Sequence, residues 1–352
     1  MVVVGIVIAS LLGGGLAAWL IRRFRNRRTL LPPRGFAASL KSHGAGPTTV
    51  TNPARAELAN NLVTERLWKL AFAAAPEAQI LEPAHARVRD AVSDVLKADT
   101  LDPKYFPRRP TLMPQLLRAM DDPSSATEKL SRIVAHDPVL TSDVLRLANS
   151  PLYRASPAPI ETIQRAIVVL GVDALRGLVA TAMLQPVFRA TRSNFPRFPR
   201  MLWERTERAA RAAELYAMKA LPQDRFEAQL LILLSALGPL VVYGATLDVY
   251  AQRPRLTPNP ALFVSLTAAL GPQVSLRIAQ HWETSLRLVA AIERSPGEAL
   301  TMALCAGELL GTLSLLQTQS VITADEALAT AKDIGLAEAT VTPIWERLTS
   351  EQ

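Results

Sequence analysis

Between Thr111 and Phe188 apolar residues recur every three or four positions, and each run is closed by residues through which a helix cannot continue. Leu112, Leu116, Leu117 and Met120 share one helical face; Asp122-Pro123 ends that run, and Ser124 and Ser125 offer caps for the next. Leu130, Ile133 and Val134 form the second face. Asp137-Pro138 then supplies a capping carboxylate followed by proline at the first helical position, where the missing N–H would be unpaired anyway. Val139, Leu140, Val144, Leu145, Leu147 and Ala148 are expected to pack inward as far as Asn149-Ser150-Pro151, with Asn149 in a left-handed C-cap and Pro151 preventing continuation. A further helix is expected from Ile160 to Leu170, with Ile163, Ala166, Ile167 and Leu170 on one face and Gly171 as its terminator, and another from near Asp173.

No segment alternates apolar and polar residues long enough to demand a strand, and no fixed-period repeat is visible. With 49% hydrophobic, 20% charged and only 5% aromatic residues, the 352-residue chain is expected to be all-α, with enough length for a sizeable buried core.

The formal charge of +8 and pI near 10.0 would suit a nucleic-acid or anionic-membrane partner. The excess is local, however. Residues 1–41 hold seven basic side chains, Arg22, Arg23, Arg25, Arg27, Arg28, Arg34 and Lys41, and no acid; subtracting these seven from 39 leaves 32 basic against 31 acidic residues. The nearly neutral body argues against specific nucleic-acid binding. Residues 2–21 carry no charge, and as a helix rising ~1.5 Å per residue they would match a bilayer core of about 30 Å. Trp19 falls where the interfacial aromatic belt lies, and the cluster Arg22, Arg23, Arg25, Arg27 and Arg28 follows at once, so the positive-inside rule places the remaining chain in the cytoplasm. No basic segment precedes the apolar run, which also exceeds the core of a cleaved signal peptide. The expectation is a single-pass anchor in the cytoplasmic (inner) membrane. The lone Cys305 in an apolar run fits a reducing compartment and reads as a small buried hydrophobe.

The chain divides into an anchor (1–21), a basic juxtamembrane segment and linker (22–53), a helical extension (54–103), a central domain (104–298) and a C-terminal helical segment (299–352). In the extension Leu58, Leu62, Leu67, Leu70, Val88, Val92, Val95 and Leu96 have helical spacing broken near Pro76 and Pro83; in the last segment helices are expected over Leu304–Leu316 and Asp325–Ile334.

The runs IVAHDPVLTSDVLRLANSPLY and IETIQRAIVVLGVDALRGLV resemble the HDOD domain, a family related in fold to the HD-superfamily metal phosphohydrolases. The resemblance rests on Asp137, Pro138, Leu145, Leu147, Ala148, Asn149, Ser150, Ile163, Ala166, Leu170 and Gly171, and implies an HDOD-like helical bundle over residues 104–298. Catalytic relatives hold divalent metal with His and Asp side chains. Where the resemblance places a ligand histidine after Trp203, this chain has Arg205, and where it places the paired His-Asp before Gly238, it has Ser235 and Ala236. Gly271, Ser295 and Pro296 stand at later, less well-aligned ligand positions. His43, His85, His136 and His281 lie in unrelated contexts, and Asp137, although next to His136, is better used as a cap than as a ligand. No phosphate loop, GxSxG elbow or HExxH pattern is present, and Glu204, Glu207, Glu214 and Glu283 read as solvated helix faces.

The expectation is therefore no catalytic activity and no metal or other cofactor. The implied role is a membrane-anchored signalling or scaffolding module whose partners are signalling proteins. The alternative is a module that senses a nucleotide in the vestigial cleft, with Arg205 replacing a metal as the cationic partner of phosphate. An HD-type metal-dependent phosphohydrolase is the least favoured reading.

Overall fold

Proline at a helix start recurs at Pro53, Pro83, Pro138 and Pro260 in the computed structural model, which describes residues 53–72, 83–98, 110–118, 126–135, 137–153, 158–189, 195–295 and 298–349. The described residues form helices and no strand, as the sequence leads one to expect. In chain order they are α1 (Pro53–Phe72), α2 (Pro83–Lys97), α3 (Met113–Arg118), α4 (Ala126–Ala135), α5 (Pro138–Ala148), α6 (Ile163–Leu170) and α7 (Val172–Arg189). These are followed by α8 (Arg197–Ala220), α9 (Arg225–Ala251), α10 (Pro260–His281), α11 (Leu286–Ile292), α12 (Ala299–Thr318), α13 (Ala324–Ile334) and α14 (Glu338–Thr349). The apolar run 2–21, its flanking arginines Arg22, Arg23, Arg25, Arg27 and Arg28, and the linker lie outside the described residues.

The centre is made by four long helices: α8 runs along α12 and α9, and α9 runs along α10. Small residues set how close they come. A Cβ on Gly311 would overlap the backbone of Ala209, and one on Gly238 would overlap the Gly271 carbonyl and Ser275. Helices α9, α10 and α12 are apolar and long enough to cross a membrane by length and composition, yet 78%, 50% and 83% of their apolar windows are buried inside the bundle. Burial accounts for most of the hydrophobicity of α9 and α12 and for half of the α10 window. Helix α1 is held over the bundle by rings: Trp68 stacks on Phe198 at 5.8 Å and Phe198 on Tyr243 at 4.4 Å. Leu62 on the same helix is turned to solvent, outside the stripe expected for it. The C-terminal helices α13 and α14 share a second apolar cluster with α8, α12 and Val63 of α1.

The Asp137-to-Gly171 segment shows why its residue types recur. The Asp137 carboxylate accepts from Val139 N at 2.9 Å and Leu140 N at 3.1 Å, with Pro138 at the first helical position. Asn149 does not take the left-handed conformation expected of it; at φ −92° and ψ −1° it stays right-handed and works through its side chain. Its Nδ2 donates to Leu145 O at 2.8 Å and Ile160 O at 2.7 Å, while Ile160 N donates to its Oδ1 at 2.7 Å. One amide thus closes the loop between α5 and α6. Because Ile160 is held in that loop, α6 begins at Ile163 behind a Thr162 cap, later than the expected Ile160. Gly171 ends α6 at φ 85°, the left-handed region that favours glycine. Leu147, Ala148, Ile163 and Ala166 are buried, Leu145 and Leu170 partly so; Val139, on the first turn, faces solvent at 71% instead of packing inward. Ser150 Oγ donates to Leu147 O at 2.7 Å.

One buried charge ties this segment to the long helices. Glu214 of α8 is fully buried, against the expectation of a solvated face, and accepts from Arg211 Nη1 at 2.6 Å, Arg225 Nη2 at 2.7 Å and Gln229 Nε2 at 2.9 Å. The Arg211 guanidinium lies 5.1 Å over the ring of buried Tyr153, and Gly177 of α7 leaves the space that the Gln229 amide fills.

Since Asn149 carries both ends of the loop, Asn149→Ala should cost about 2–4 kcal/mol by denaturant unfolding. Asp137→Ala, which removes only a helix cap, should cost about 0.5–2 kcal/mol. Equal losses would contradict the stapling role of Asn149.

Candidate functional site

Pro239 sits inside α9 and has no N–H to offer the carbonyl of Ser235, one turn earlier. Ser275 of α10 fills that gap. Its hydroxyl donates to Ser235 O at 2.8 Å and accepts from Gly238 N at 3.0 Å. Pro272, inside α10, lines the same region. At this crossing the helices leave a cavity of about 220 Å³. Its floor includes Ser235, Pro239, Thr267, Pro272 and Ser275; one wall is Met201, Leu202 and Arg205 of α8, and the adjoining one is Cys305, Glu308 and Thr312 of α12. Val63, Thr64, Leu67 and Trp68 of α1 cover it.

Of the three residues that the resemblance sets at metal-ligand positions of catalytic relatives, Arg205 and Ser235 line this cavity and Ala236 is buried outside its lining. Gly271 is buried at the α9–α10 crossing, packed against the Pro239 ring. Ser295 follows α11, and Pro296 lies outside the described residues.

Arg205 Nε donates to Thr312 Oγ1 at 2.8 Å, and Thr312 in turn donates to Glu308 O at 2.6 Å. Burial lowers the Arg205 pKa, the carboxylate of Glu308 opposing it and the charge of Arg294 adding to it. Glu308 is already engaged, pairing with Arg294 Nη2 at 2.9 Å, while Arg294 Nη1 donates to Cys305 Sγ at 2.7 Å. Burial also works against the Arg294 charge, but the Cys305 and Glu308 contacts outweigh it and raise that pKa. The Thr267 hydroxyl, on the floor, is buried without a hydrogen-bond partner.

These residues do not fit a divalent metal. Such an ion needs several His, Asp, Glu or Cys donors converging, and here one carboxylate and one thiol already bind a guanidinium while a second guanidinium lines the cavity. Among the described residues no group of three or more potential ligands comes together elsewhere. His85 is buried with Nδ1 2.8 Å from the Tyr250 hydroxyl, His281 is exposed at the end of α10, and His43 and His136 lie outside the described residues.

Sequence reasoning missed the Arg294–Glu308 pair and the polar contact of Cys305, because the turn between α11 and α12 that joins them has no motif. A signal did exist in α12. Cys305, Glu308 and Thr312 follow at spacings of three and four in a helix whose one charged residue is Glu308, which places them as a stripe against the cavity.

The remaining acidic residues correct the solvated-face reading unevenly: Glu283 is exposed but lies in the turn beyond α10, Glu204 of α8 is partly buried, and burial pushes the Glu207 carboxyl up to about 7 against the opposing charges of Arg146 and Arg208.

The HDOD domain model matches residues 106–296. Among curated proteins none matches significantly. A solved HDOD domain protein of unknown function from Geobacter sulfurreducens aligns over 76% of this chain and 88% of its own, at 19% identity and a TM-score of 0.50. A candidate metal-dependent phosphohydrolase from Shewanella amazonensis SB2B aligns over 77% and 99%, at 15% identity and a TM-score of 0.53. At such identities the likeness is one of fold.

The Glu207 shift makes stability depend on pH. With a folded pKa of about 7 above the ordinary 4.5, its stabilising contribution is complete below pH 4.5 and is lost as pH rises through 7. Glu207→Gln should therefore flatten the fall in stability between pH 4.5 and 7 in denaturant titrations; an unchanged slope would mean that Glu207 is ionised as in water.

Proposed function

The chain belongs to the HDOD domain family, and from that premise we propose that it is a non-enzymatic signal-transduction or scaffolding module, acting through contacts with other signalling proteins. The observation that carries this reading is that two guanidiniums, Arg205 and Arg294, line the cavity with a single carboxylate, Glu308, while Arg205, Ser235 and Ala236 stand at positions where a metal-binding relative would need imidazole and carboxylate. Metal-dependent hydrolysis of a phosphoester needs a bound water whose pKa is lowered towards ~7, and neither guanidinium nor hydroxyl can hold the ion that lowers it. The apolar run 2–21 and the five arginines after it support attachment to the cytoplasmic face of the inner membrane. The module would then meet its partners only there.

A second reading, nucleotide sensing, is favoured by one observation: Arg205 lines the cavity and, among the described side chains, gives a hydrogen bond only from Nε, to Thr312. Arginine suits phosphate recognition through its planar fork of donors.

The full chain with added Mn²⁺, Mg²⁺ or Fe²⁺ should hydrolyse neither phosphomonoesters nor phosphodiesters, and chelator should leave its helical circular dichroism unchanged. Metal-dependent turnover abolished by a change in the cavity would defeat the proposal. A reporter fused after Gln352 should give a cytoplasmic signal; a periplasmic signal, or release of a shortened soluble form, would refute the anchored topology.

A further inference from the structure

A cation withdrawn from water usually has an anion beside it, because taking a charge out of water is costly unless it is paired. Arg205, partly buried in the cavity wall, departs from that rule. No carboxylate among the described residues lies within 4.0 Å of it, Thr312 takes only its Nε proton, and the nearby Glu308 is committed to Arg294. Thr267, only 5% exposed, adds a second unused polar group, since its hydroxyl has no partner and the residue lines the same space. The rest of the lining is mostly apolar: Leu67 and Trp68 from above, Met201 and Leu202 at one side, Pro239 and Pro272 below.

We infer that the cavity is a binding site for a small amphipathic monoanion, a carboxylate head seated between Arg205 and Thr267 with a short aliphatic body against Trp68, Leu67 and the two helix-interior prolines. This deepens the ligand-sensing reading above and rests on it, but replaces the nucleotide by a different class. Charge decides the class. Arg205, Arg294 and Glu308 together leave the cavity one positive charge, which a single carboxylate neutralises and a phosphate dianion would overshoot. Size points the same way, for about 220 Å³ is the liquid volume of roughly seven waters, which suits a short- to medium-chain acid and is too small for a nucleoside monophosphate. Because α1 forms the cover, the ligand would also touch the helix through which the body joins residues 1–52.

The test uses the full chain in a rigid steroidal detergent too bulky for the cavity, with octanoate as probe and octan-1-ol and adenosine monophosphate as comparators, followed by calorimetry. Octanoate should bind at one site per chain, and octan-1-ol at least ten-fold more weakly, since it lacks the charge that Arg205 would pair. Arg205→Gln should weaken octanoate at least ten-fold and octan-1-ol hardly at all. Should that variant unfold, Thr267→Val, which keeps the shape and removes the unpaired hydroxyl, should still weaken octanoate several-fold. Equal binding of acid and alcohol would overturn the inference, as would the absence of octanoate binding at millimolar concentration. Adenosine monophosphate binding through Arg205 in preference to octanoate would also overturn it while leaving the sensing reading intact; failure of all three probes would remove both.

Discussion

The carboxylate of Glu214, fully buried and shared by two arginines and a glutamine, is the contact through which the smaller helices are locked to the long ones. A charge placed there is tolerable only because its acceptor capacity is filled, and losing one partner of such a set typically costs about 3–5 kcal/mol. The geometry reaches well beyond the pair. Arg211 covers the ring of Tyr153 at the end of the α5 loop, Arg225 opens α9, and Gln229 occupies space that only a glycine at position 177 of α7 leaves free. With α8 fixed against α9 in this way, its other face, carrying Arg205, is presented to α12 and the cavity.

Much of the fold was legible in the sequence because its punctuation is chemical and local. Asp137, Pro138, Thr162 and Gly171 each act on backbone groups within a few residues, so residue type and order suffice to place them. Asn149 shows the limit of such reading. Asparagine after a helix is compatible with a left-handed cap, but here the side chain bonds to Ile160, eleven residues away, and only the folded loop reveals that choice. The site was legible in halves. Arg205 and Ser235 could be placed by resemblance; their juxtaposition with Arg294, Glu308 and Thr267 depends on how α10, α11 and α12 fold back. Glu214 was misread for a related reason: its partners Arg225 and Gln229 come from the next helix, and nothing in the local spacing of α8 announces them.

The two functional readings differ in where they put the working surface. A scaffold works through its outer faces and treats the cavity as inherited architecture; a sensor works through the cavity and treats the outer faces as its output. The structure gives them a common element in α1, which covers the cavity with Leu67 and Trp68 on one face and exposes Leu62 on another. A ligand that altered the seating of Trp68 against Phe198 would alter that outward face as well.

The Ser275 hydroxyl bridge carries an implication for how readily such a protein could change its trade. Ser235→His together with Ala236→Asp would restore the dipeptide of a metal-binding relative on paper only. The side chain at 236 is buried outside the cavity lining, Ser275 would still pin the backbone of residues 235 and 238, and Arg205 would still place a positive charge in the cavity. Each single step back toward chemistry would bury an unpaired group before any ion could compensate for it. On the non-enzymatic reading the bundle would therefore act as an evolutionary ratchet, separated from metal binding by intermediates that carry an unpaired buried group.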